Sequence, residues 1–283
     1  MNFKAIDQRL EGKTVLRQCQ LTQLYLLDVF VEICERHNFQ YYLDYGTLIG
    51  AMRHDGVIPW DDDIDVTMPI DDYKKFLALP VSEFPQKVHL ELPWKNPDAF
   101  QGVARLRDCC SFYSEWYTKV SSPCGIFIDI FALDKFPKLS SKFSNKLMRA
   151  YECALFCEQA HRTKPNTSIF YMPYHFFMCL AWKGACAWIY AFYLILRLVR
   201  PTVLNQKFGS IGFSVGGVEP SVVFPLKKHI FEGKEYNVPN DSDRYLTLMY
   251  GDWRTPPPPD RRKGKHNTLI VPTRGVEHEW TNV

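Results

Sequence analysis

The chain has 283 residues, of which 46% are hydrophobic and 23% charged, so it is long enough for a globular protein with a substantial core. Its 34 basic and 31 acidic residues nearly cancel, which argues against a nucleic-acid-binding surface. Nine cysteines, and a start without an apolar signal core, favour a reduced cytosolic protein over a secreted one.

The first predicted elements are a helix, a strand and a second helix. Apolar residues recur at steps of three and four over residues 15–36, which indicates an amphipathic helix that Asn38 ends. Residues 41–45 are strand-like, and Gly46 and Thr47 then allow a sharp turn into a short helix that ends at Arg53. This order predicts a helix that covers a sheet.

The elements that follow are shorter. Asp71 and Asp72 are expected to cap a helix that runs through Leu79. Strands are predicted over residues 88–92, 103–106 and 126–131, and residues 61–68 also have a strand-like pattern. Because helices and strands alternate, we expect an α/β or α+β core.

Two carboxylates in the acidic segment are spaced for a common target. On a strand, Asp63 and Asp65 project to one face while Ile64 and Val66 point into a core. Like charges this close repel unless a cation lies between them, and oxygen ligands suit Mg²⁺ or Mn²⁺. The spacing therefore predicts a divalent metal site.

A third carboxylate interrupts an apolar strand further along the chain. Asp129 lies between Ile128 and Ile130, where a buried aspartate requires a partner, so a neighbouring strand would add it to the site. The alternative for acidic segments of this kind is a solvated turn or helix cap. A calcium loop is excluded, because Val66 occupies the position that needs glycine.

Two segments resemble the signature of a known family. YGTLIGAMRH at residues 45–54 and IPWDDDIDV at residues 58–66 closely resemble the LicD family, which also includes the domain of fukutin and the fukutin-related protein. The resemblance extends to residues 104–108, 125–134, 231–233, 238–239, 245–246 and 250–252. It covers most of the chain outside the apolar middle.

The resemblance implies an α+β fold of the nucleotidyltransferase type, with a mixed sheet flanked by helices and an apolar helical insert. Residues 1–134 would form the core with the metal site. Residues 135–215 would be a variable helical insert, with membrane association left open. Residues 216–283 would complete the core domain.

The resemblance also implies a reaction. Characterised relatives transfer phosphocholine from CDP-choline, or ribitol phosphate from CDP-ribitol, onto cell-surface glycans such as lipopolysaccharide or teichoic acid. The implied partners are therefore a CDP-linked donor and a glycan or lipid-linked glycan acceptor, with Mg²⁺ or Mn²⁺ as cofactor and no nucleic acid. The acceptor hydroxyl would attack the distal phosphorus, and CMP would leave.

Site residues follow from this match, one by one. Asp63, Asp65 and Asp129 would hold the metal, and either Asp61 or Asp129 would complete the ligand set or act as base. At the start of the second helix, backbone and hydroxyl donors would bind phosphate. These donors are Gly46 and Thr47.

Basic residues near the acids are candidates for binding the nucleotide diphosphate. Arg53 and His54 precede the acidic segment, with an ordinary salt bridge to a neighbouring aspartate as the alternative. Arg105 and Arg107 share one strand face, with a structural pair as the alternative. The basic cluster 261–266 would close over the donor or, as we prefer, form a solvated tail.

The apolar middle, residues 169–199, is long enough to span a bilayer. Lys183 and Gly184 interrupt it, and a single span would separate the C-terminal motifs from the active site. We rank buried helices first, a segment lying on the membrane second and a true span third. The predicted location is the cytoplasm, with peripheral contact at the inner face of the membrane as an alternative.

Two other functions remain open. A metal-dependent glycosyltransferase also uses an Asp-x-Asp pair, but it requires neither the Gly46–Thr47 turn nor a third acidic strand. An inactive scaffold of envelope assembly would have lost a metal ligand, whereas all three predicted ligands are present.

Overall fold

The protein is described from a computed structural model, which covers residues 3–92, 103–115, 125–137, 172–199, 202–206, 217–262 and 267–273, and single residues between 143 and 157. The chain divides into two compact units. Residues 1–133 and 220–283 form the first, and residues 134–219 form the second.

The described helices longer than three residues are α1 Val15–His37, α2 Tyr45–His54, α3 Ile70–Leu77, α4 Met172–Val199, α5 Pro220–Val223 and α6 Ser242–Tyr250. The described strands are β1 Tyr42–Leu43, β2 Asp65–Pro69, β3 Val88–Glu91, β4 Ala104–Asp108, β5 Phe112–Glu115, β6 Phe127–Pro137, β7 Thr202–Gln206, β8 Lys227–Phe231, β9 Lys234–Val238 and β10 Asn267–Val271.

The central sheet is mixed. Its strands follow the order β1-β2-β6-β4-β3, in which β2 and β6 are parallel and the other neighbouring pairs are antiparallel. Two small antiparallel pairs, β5 with β10 and β8 with β9, accompany it. The predicted fold class, a mixed sheet flanked by helices with one apolar helix, is confirmed.

The first two helices are bounded by local chemistry. The Thr14 side chain accepts from the N–H of Arg17 at the start of α1. Asn38 ends the helix, as predicted, and does so in the left-handed conformation. Strand β1 is shorter than expected, because Asp44 leaves it to cap α2. Helix α2 therefore begins at Tyr45, two residues before its predicted start.

Three other predicted boundaries were wrong. Asp71 and Asp72 lie in the first turn of α3, where their charges suit the helix dipole, but Pro69 occupies the cap position. Strand β2 begins only at Asp65, so Asp63 precedes the strand. The predicted strand over 126–131 exists but continues to Pro137.

The β8–β9 hairpin is tied to the N-terminal half of the core. Glu232 and Gly233 form its turn, with φ of 48° and 77°, as a two-residue turn of positive φ requires. The Glu232 carboxylate accepts from Arg17 of α1 at 2.7 Å and from the N–H of Val57 at 3.0 Å. The hairpin thereby holds the loop that leads into the acidic segment.

Helix α4 differs from expectation in two ways. It is one continuous helix of 28 residues, so Lys183 and Gly184 do not interrupt it, and Pro173 lies in its first turn, where proline is tolerated. The preferred interpretation, that it is buried, was wrong. Only 6% of the apolar window Phe176–Leu196 is buried. Residues 169–171 lie outside the described part of the chain.

Candidate active site

Two carboxylates stand side by side on the parallel strand pair. Asp65 of β2 is in register with Asp129 of β6, and the Asp129 N–H donates to the carbonyl of Ile64 at 2.9 Å. Residues paired in register on neighbouring strands project to the same face of the sheet. The sheet therefore brings together two of the acids that lie far apart in the sequence.

The segment just before β2 adds further carboxylates. One oxygen from each of Asp61, Asp62 and Asp63 lies within 4.8 Å of the other two. Burial, followed by repulsion from Asp61, Asp62 and Asp129, raises the pKa of Asp63 well above its ordinary value. Burial and the neighbouring carboxylates, Asp63 first, likewise raise the pKa of Asp65. The carboxylates thus gather in one place.

Amide side chains from α1 hold the acidic segment. Gln20 Nε2 donates to the carbonyl of Asp61 at 2.9 Å, and Gln23 Nε2 donates to that of Asp62 at 2.8 Å. The fully buried Asp62 carboxylate accepts from the hydroxyl of Tyr113 at 3.0 Å. These bonds fix the backbone from which Asp61 and Asp63 project.

The N-terminus of α2 lies against the same acids. A Cβ added to Gly46 would come within 2.7 Å of Asp61 Oδ2, so any larger residue would force the Asp61 carboxylate to move. Thr47 Oγ1 accepts from the N–H of Asp65 at 2.8 Å, which ties the helix to β2 and leaves the hydroxyl hydrogen for another acceptor. The positive end of the helix therefore faces the acid cluster.

Backbone strain marks the first residue of this helix. Tyr45 has a φ of 45°, which costs about 1 to 3 kcal/mol in a bulky residue. The buried Asp44 carboxylate accepts from the Tyr45 N–H at 2.8 Å, from Thr67 Oγ1 at 2.6 Å and from the Tyr245 hydroxyl at 3.0 Å. Asp44 therefore holds the strained turn in place, and it is a site residue that the sequence analysis missed.

The two arginines of β4 are engaged in structural pairs, which is the alternative considered above. Arg105 Nε donates to Asp129 Oδ1 at 2.8 Å, and its guanidinium lies 4.0 Å from the ring centre of Phe127. Arg107 donates to Glu91 and to the carbonyl of Gly125. Both arginines are buried, so Arg105 supports a site carboxylate while Arg107 stabilises the sheet.

A basic group lies beside the acids. Arg53 Nε donates to His54 Nε2 at 3.0 Å, and Arg53 also donates to the carbonyl of Trp253 at 2.7 Å. The guanidinium of Arg262 lies 5.1 Å from the ring centre of Trp60. In the described part of the chain, neither arginine nor His54 forms an ion pair with a carboxylate.

The electrostatics of this group indicate an anion site. Burial and the charge of Arg262 lower the pKa of Arg53, although Asp61 opposes the shift. Burial, followed by repulsion from Arg53 and Arg262, lowers the pKa of His54. The neutral imidazole accepts from Arg53 through Nε2, so its proton resides on Nδ1. Neighbouring cations without ion-pair partners are stabilised by a bound anion.

The outcome for the candidate residues is mixed. The structure places Asp61, Asp63, Asp65 and Asp129 around one point, with Gly46 and Thr47 beside them. Arg53 lies near Asp61, and His54 contacts Arg53. It keeps Arg107 away in a structural pair. Arg262, which was assigned to a solvated tail, packs on Trp60, while residues 263–266 of that cluster lie outside the described part of the chain.

The chemistry of the donors matches a metal site. The clustered ligands are all carboxylate oxygens, which hard divalent cations such as Mg²⁺ and Mn²⁺ prefer. Burial and then repulsion between the carboxylates raise the pKa values of Asp63 and Asp65, and a bound cation would relieve that repulsion. The carboxylates therefore fit a hard divalent cation, and the neighbouring basic side chains fit an anion.

Comparison with known proteins gives consistent results. Residues 38–133 match the family model described as LicD/FKTN/FKRP, nucleotidyltransferase domain. The lipopolysaccharide cholinephosphotransferase LicD of Haemophilus influenzae is 30% identical over 268 residues, which is 90% of this chain and 97% of the relative. An uncharacterised protein of Rickettsia prowazekii is 41% identical over 58 residues, 20% of each chain. An uncharacterised protein of Rickettsia typhi is 49% identical over 35 residues, 12% of this chain and 11% of the relative.

Proposed function

Since the chain belongs to the LicD family and is a transferase of phosphate-linked groups, we propose that it moves phosphocholine or a polyol phosphate from a CDP-activated donor. The acceptor is a hydroxyl of a cell-surface glycan or of its lipid-linked precursor. The Haemophilus relative, a lipopolysaccharide cholinephosphotransferase, supports both the group transferred and the class of acceptor.

One observation carries the proposal. An acidic cluster with raised pKa values lies next to basic side chains that make no ion pair in the described part of the chain. A metal–diphosphate unit supplies the opposite charge to both groups at once. A bare metal would leave the arginines uncompensated, and a bare diphosphate would be repelled by the carboxylates.

Asp63, Asp65 and Asp129 would hold the metal. When bound, Mg²⁺ or Mn²⁺ neutralises charge on the diphosphate oxygens. Arg105 donates to one oxygen of Asp129, which stabilises the ionised carboxylate and fixes its orientation for ligation. The hydrogen bond from Arg105 therefore favours a role for Asp129 as a metal ligand rather than as a general base.

The reaction breaks one phosphorus–oxygen bond and forms another. The acceptor hydroxyl oxygen attacks the distal phosphorus of the donor, the bond from that phosphorus to the bridging oxygen breaks, and CMP leaves with that oxygen. The hydroxyl proton passes to a carboxylate. Asp61 suits this role, because it is partly exposed and lies against the start of α2, where phosphate would bind.

The basic group would hold the CMP side of the diphosphate. Arg53 and Arg262 supply positive charge, and Trp60 offers an aromatic face beside them. His54, neutral at physiological pH because its pKa is lowered, can donate a hydrogen bond through Nδ1 without adding charge. The helix dipole of α2 favours the same anion.

A cytoplasmic location completes the proposal. Eight cysteines in the described part of the chain are free thiols, which is typical of proteins in a reducing compartment.

The test is a donor panel. The purified enzyme is incubated with lipopolysaccharide or teichoic acid, Mg²⁺ and either CDP-choline, CDP-ribitol or a UDP-sugar, and the product is analysed by mass spectrometry. A gain of phosphocholine or ribitol phosphate, absent for Asp65→Asn, is the expected result. A gain of a sugar without phosphorus would instead identify a glycosyltransferase. Full biological output from Asp63→Ala and Asp65→Ala would identify a scaffold.

A further inference from the structure

Helix α4 exposes an unusually large apolar surface. Its window Phe176–Leu196 has a mean hydropathy of 1.5, and it is the one helix in the described part of the chain long and apolar enough to cross a membrane. Trp188 is 79% exposed and Leu198 is 85% exposed. The other large exposed residues are Tyr174, Phe176, Phe177, Leu180, Tyr190, Phe192, Leu194, Ile195 and Val199. Apolar patches of this kind mark interaction surfaces.

These side chains cover one side of the helix. At about 100° per residue, the exposed large residues occupy an arc of roughly 200° of the circumference. The opposite side carries Trp182, Ile189 and Tyr193, which are partly or fully buried, and the Tyr193 ring lies 6.0 Å from that of Phe136. Helix α4 is therefore attached to its own unit along one face and uncovered along the other.

The width and composition of the uncovered face fit a lipid surface. A partner helix covers a narrow seam of about two positions in seven, much less than this arc. The exposed aromatic residues include Trp188, Tyr174 and Tyr190, and Trp and Tyr are enriched where membrane meets water. The helix contains no Asp or Glu.

The net charge of the second unit indicates that anionic lipids are the ones it would bind. Residues 134–219 contain eleven Lys and Arg and four Asp and Glu, a net charge of +7, whereas the whole chain carries only +3. The rest of the chain is therefore acidic overall, and the positive charge is concentrated in the unit that carries the apolar helix. Basic residues beside an apolar helix attract anionic lipid headgroups.

A single crossing of the bilayer is incompatible with the fold. It would place Leu133 and Pro220 on opposite sides of the membrane, yet the segments before and after the second unit pack into one compact unit. For example, the Tyr245 hydroxyl donates to Asp44 at 3.0 Å. A helix that lies in the plane of the membrane interface keeps both flanking segments on one side of the bilayer and still places its apolar face in lipid.

We propose that the exposed face of α4 docks the protein on an anionic lipid bilayer, with the helix lying in the membrane interface. Docking itself is independent of which group the enzyme transfers. Its benefit for catalysis rests on the proposed function, since a lipid-linked acceptor resides in that membrane.

Vesicle sedimentation tests the surface. The full-length protein is sedimented with phosphatidylcholine vesicles and with mixed phosphatidylglycerol–phosphatidylcholine vesicles. The variant Trp188→Glu/Leu198→Glu places charges on the exposed face. Leu10→Glu/Val81→Glu is the matched control, because these residues are 79% and 78% exposed in the first unit.

The wild type and the control should bind anionic vesicles more tightly than neutral ones. The α4 variant should lose about tenfold or more of its vesicle affinity, while circular dichroism and donor turnover with a soluble glycan fragment stay unchanged. Equal binding by the α4 variant and the wild type would overturn the proposal. The proposal would also be overturned if the wild type did not bind vesicles and instead formed a dimer in lipid-free buffer that the α4 substitutions abolish.

Asp65→Asn separates the two proposals. This variant should sediment with anionic vesicles like the wild type even though it fails to transfer. Loss of transfer with retained binding therefore tests catalysis alone, and loss of binding by the α4 variant tests docking alone.

Discussion

Replacing Asp63 by Asn should stabilise the metal-free protein. The Asp63 carboxylate lies within 4.8 Å of the ligand oxygens of Asp61 and Asp62. At an effective dielectric constant of about 20, each ionised pair at that distance repels by roughly 3.5 kcal/mol. Proton binding limits this cost in the wild type, so we expect a gain of roughly 1 to 3 kcal/mol at about pH 8.

The gain should depend on pH. Burial and the neighbouring carboxylates raise the pKa of Asp63 well above its ordinary value, so the folded state binds this proton more tightly than the unfolded state. The stabilisation from that proton is complete below the unfolded pKa and is lost as the pH rises through the folded pKa. At about pH 4, near the ordinary pKa of an aspartate in the unfolded chain, most of this stabilisation remains, so the protonated wild type and the variant should be nearly equal in stability.

Thermal unfolding in EDTA at both pH values measures this difference, at roughly 2 to 4 °C per kcal/mol. With Mg²⁺ the order should reverse at about pH 8, because ligand binding stabilises the wild type by mass action. Asp72→Asn is the control, since the Asp72 carboxylate accepts from the N–H of Gln40 and from Lys75 and should not gain stability. A variant no more stable than the wild type in EDTA would refute the reasoning.

Three further changes have defined outcomes. Arg262→Met should raise the KM for the CDP donor about tenfold with a smaller effect on kcat, whereas Arg254→Met, which also lies over a tryptophan, should leave steady-state kinetics unchanged. Thr47→Val removes the acceptor of the hydrogen bond from the Asp65 N–H and should lower the free energy of unfolding by about 1 kcal/mol. Thr47→Ser should keep both stability and transfer activity. Tyr245→Phe removes a donor to a buried carboxylate and should cost about 1.5 to 3 kcal/mol in urea unfolding.

Local patterns were sufficient for much of the fold and for the acidic centre. The spacing of apolar residues located α1, and a lone aspartate in an apolar run predicted that Asp129 lies beside the acidic segment, as it does. Both inferences work because buried charge is costly wherever it occurs. The sequence does not encode strand register so directly, and the pairing of Asp65 with Asp129 required the structure.

The missed features depend on contacts between distant segments. Gln20 and Gln23 resemble any polar residues of a helix, yet their amides hold the carbonyls of the acidic segment. The contact between Arg262 and Trp60 joins the N-terminal and the C-terminal segment of the first unit. Neither contact has a local signature. The exposure of α4 was missed for a related reason, because an exposed apolar helix and a helix in a core can have the same apolar composition.

Metal titration tests the central claim most directly. Isothermal titration of Mn²⁺ into the metal-free wild type should give a saturable site, and Asp63→Asn, Asp65→Asn and Asp129→Asn should each weaken it severely, while Asp72→Asn leaves it intact. Unchanged Mn²⁺ binding in Asp129→Asn, or no saturable binding by the wild type, would contradict a metal centre built from these carboxylates.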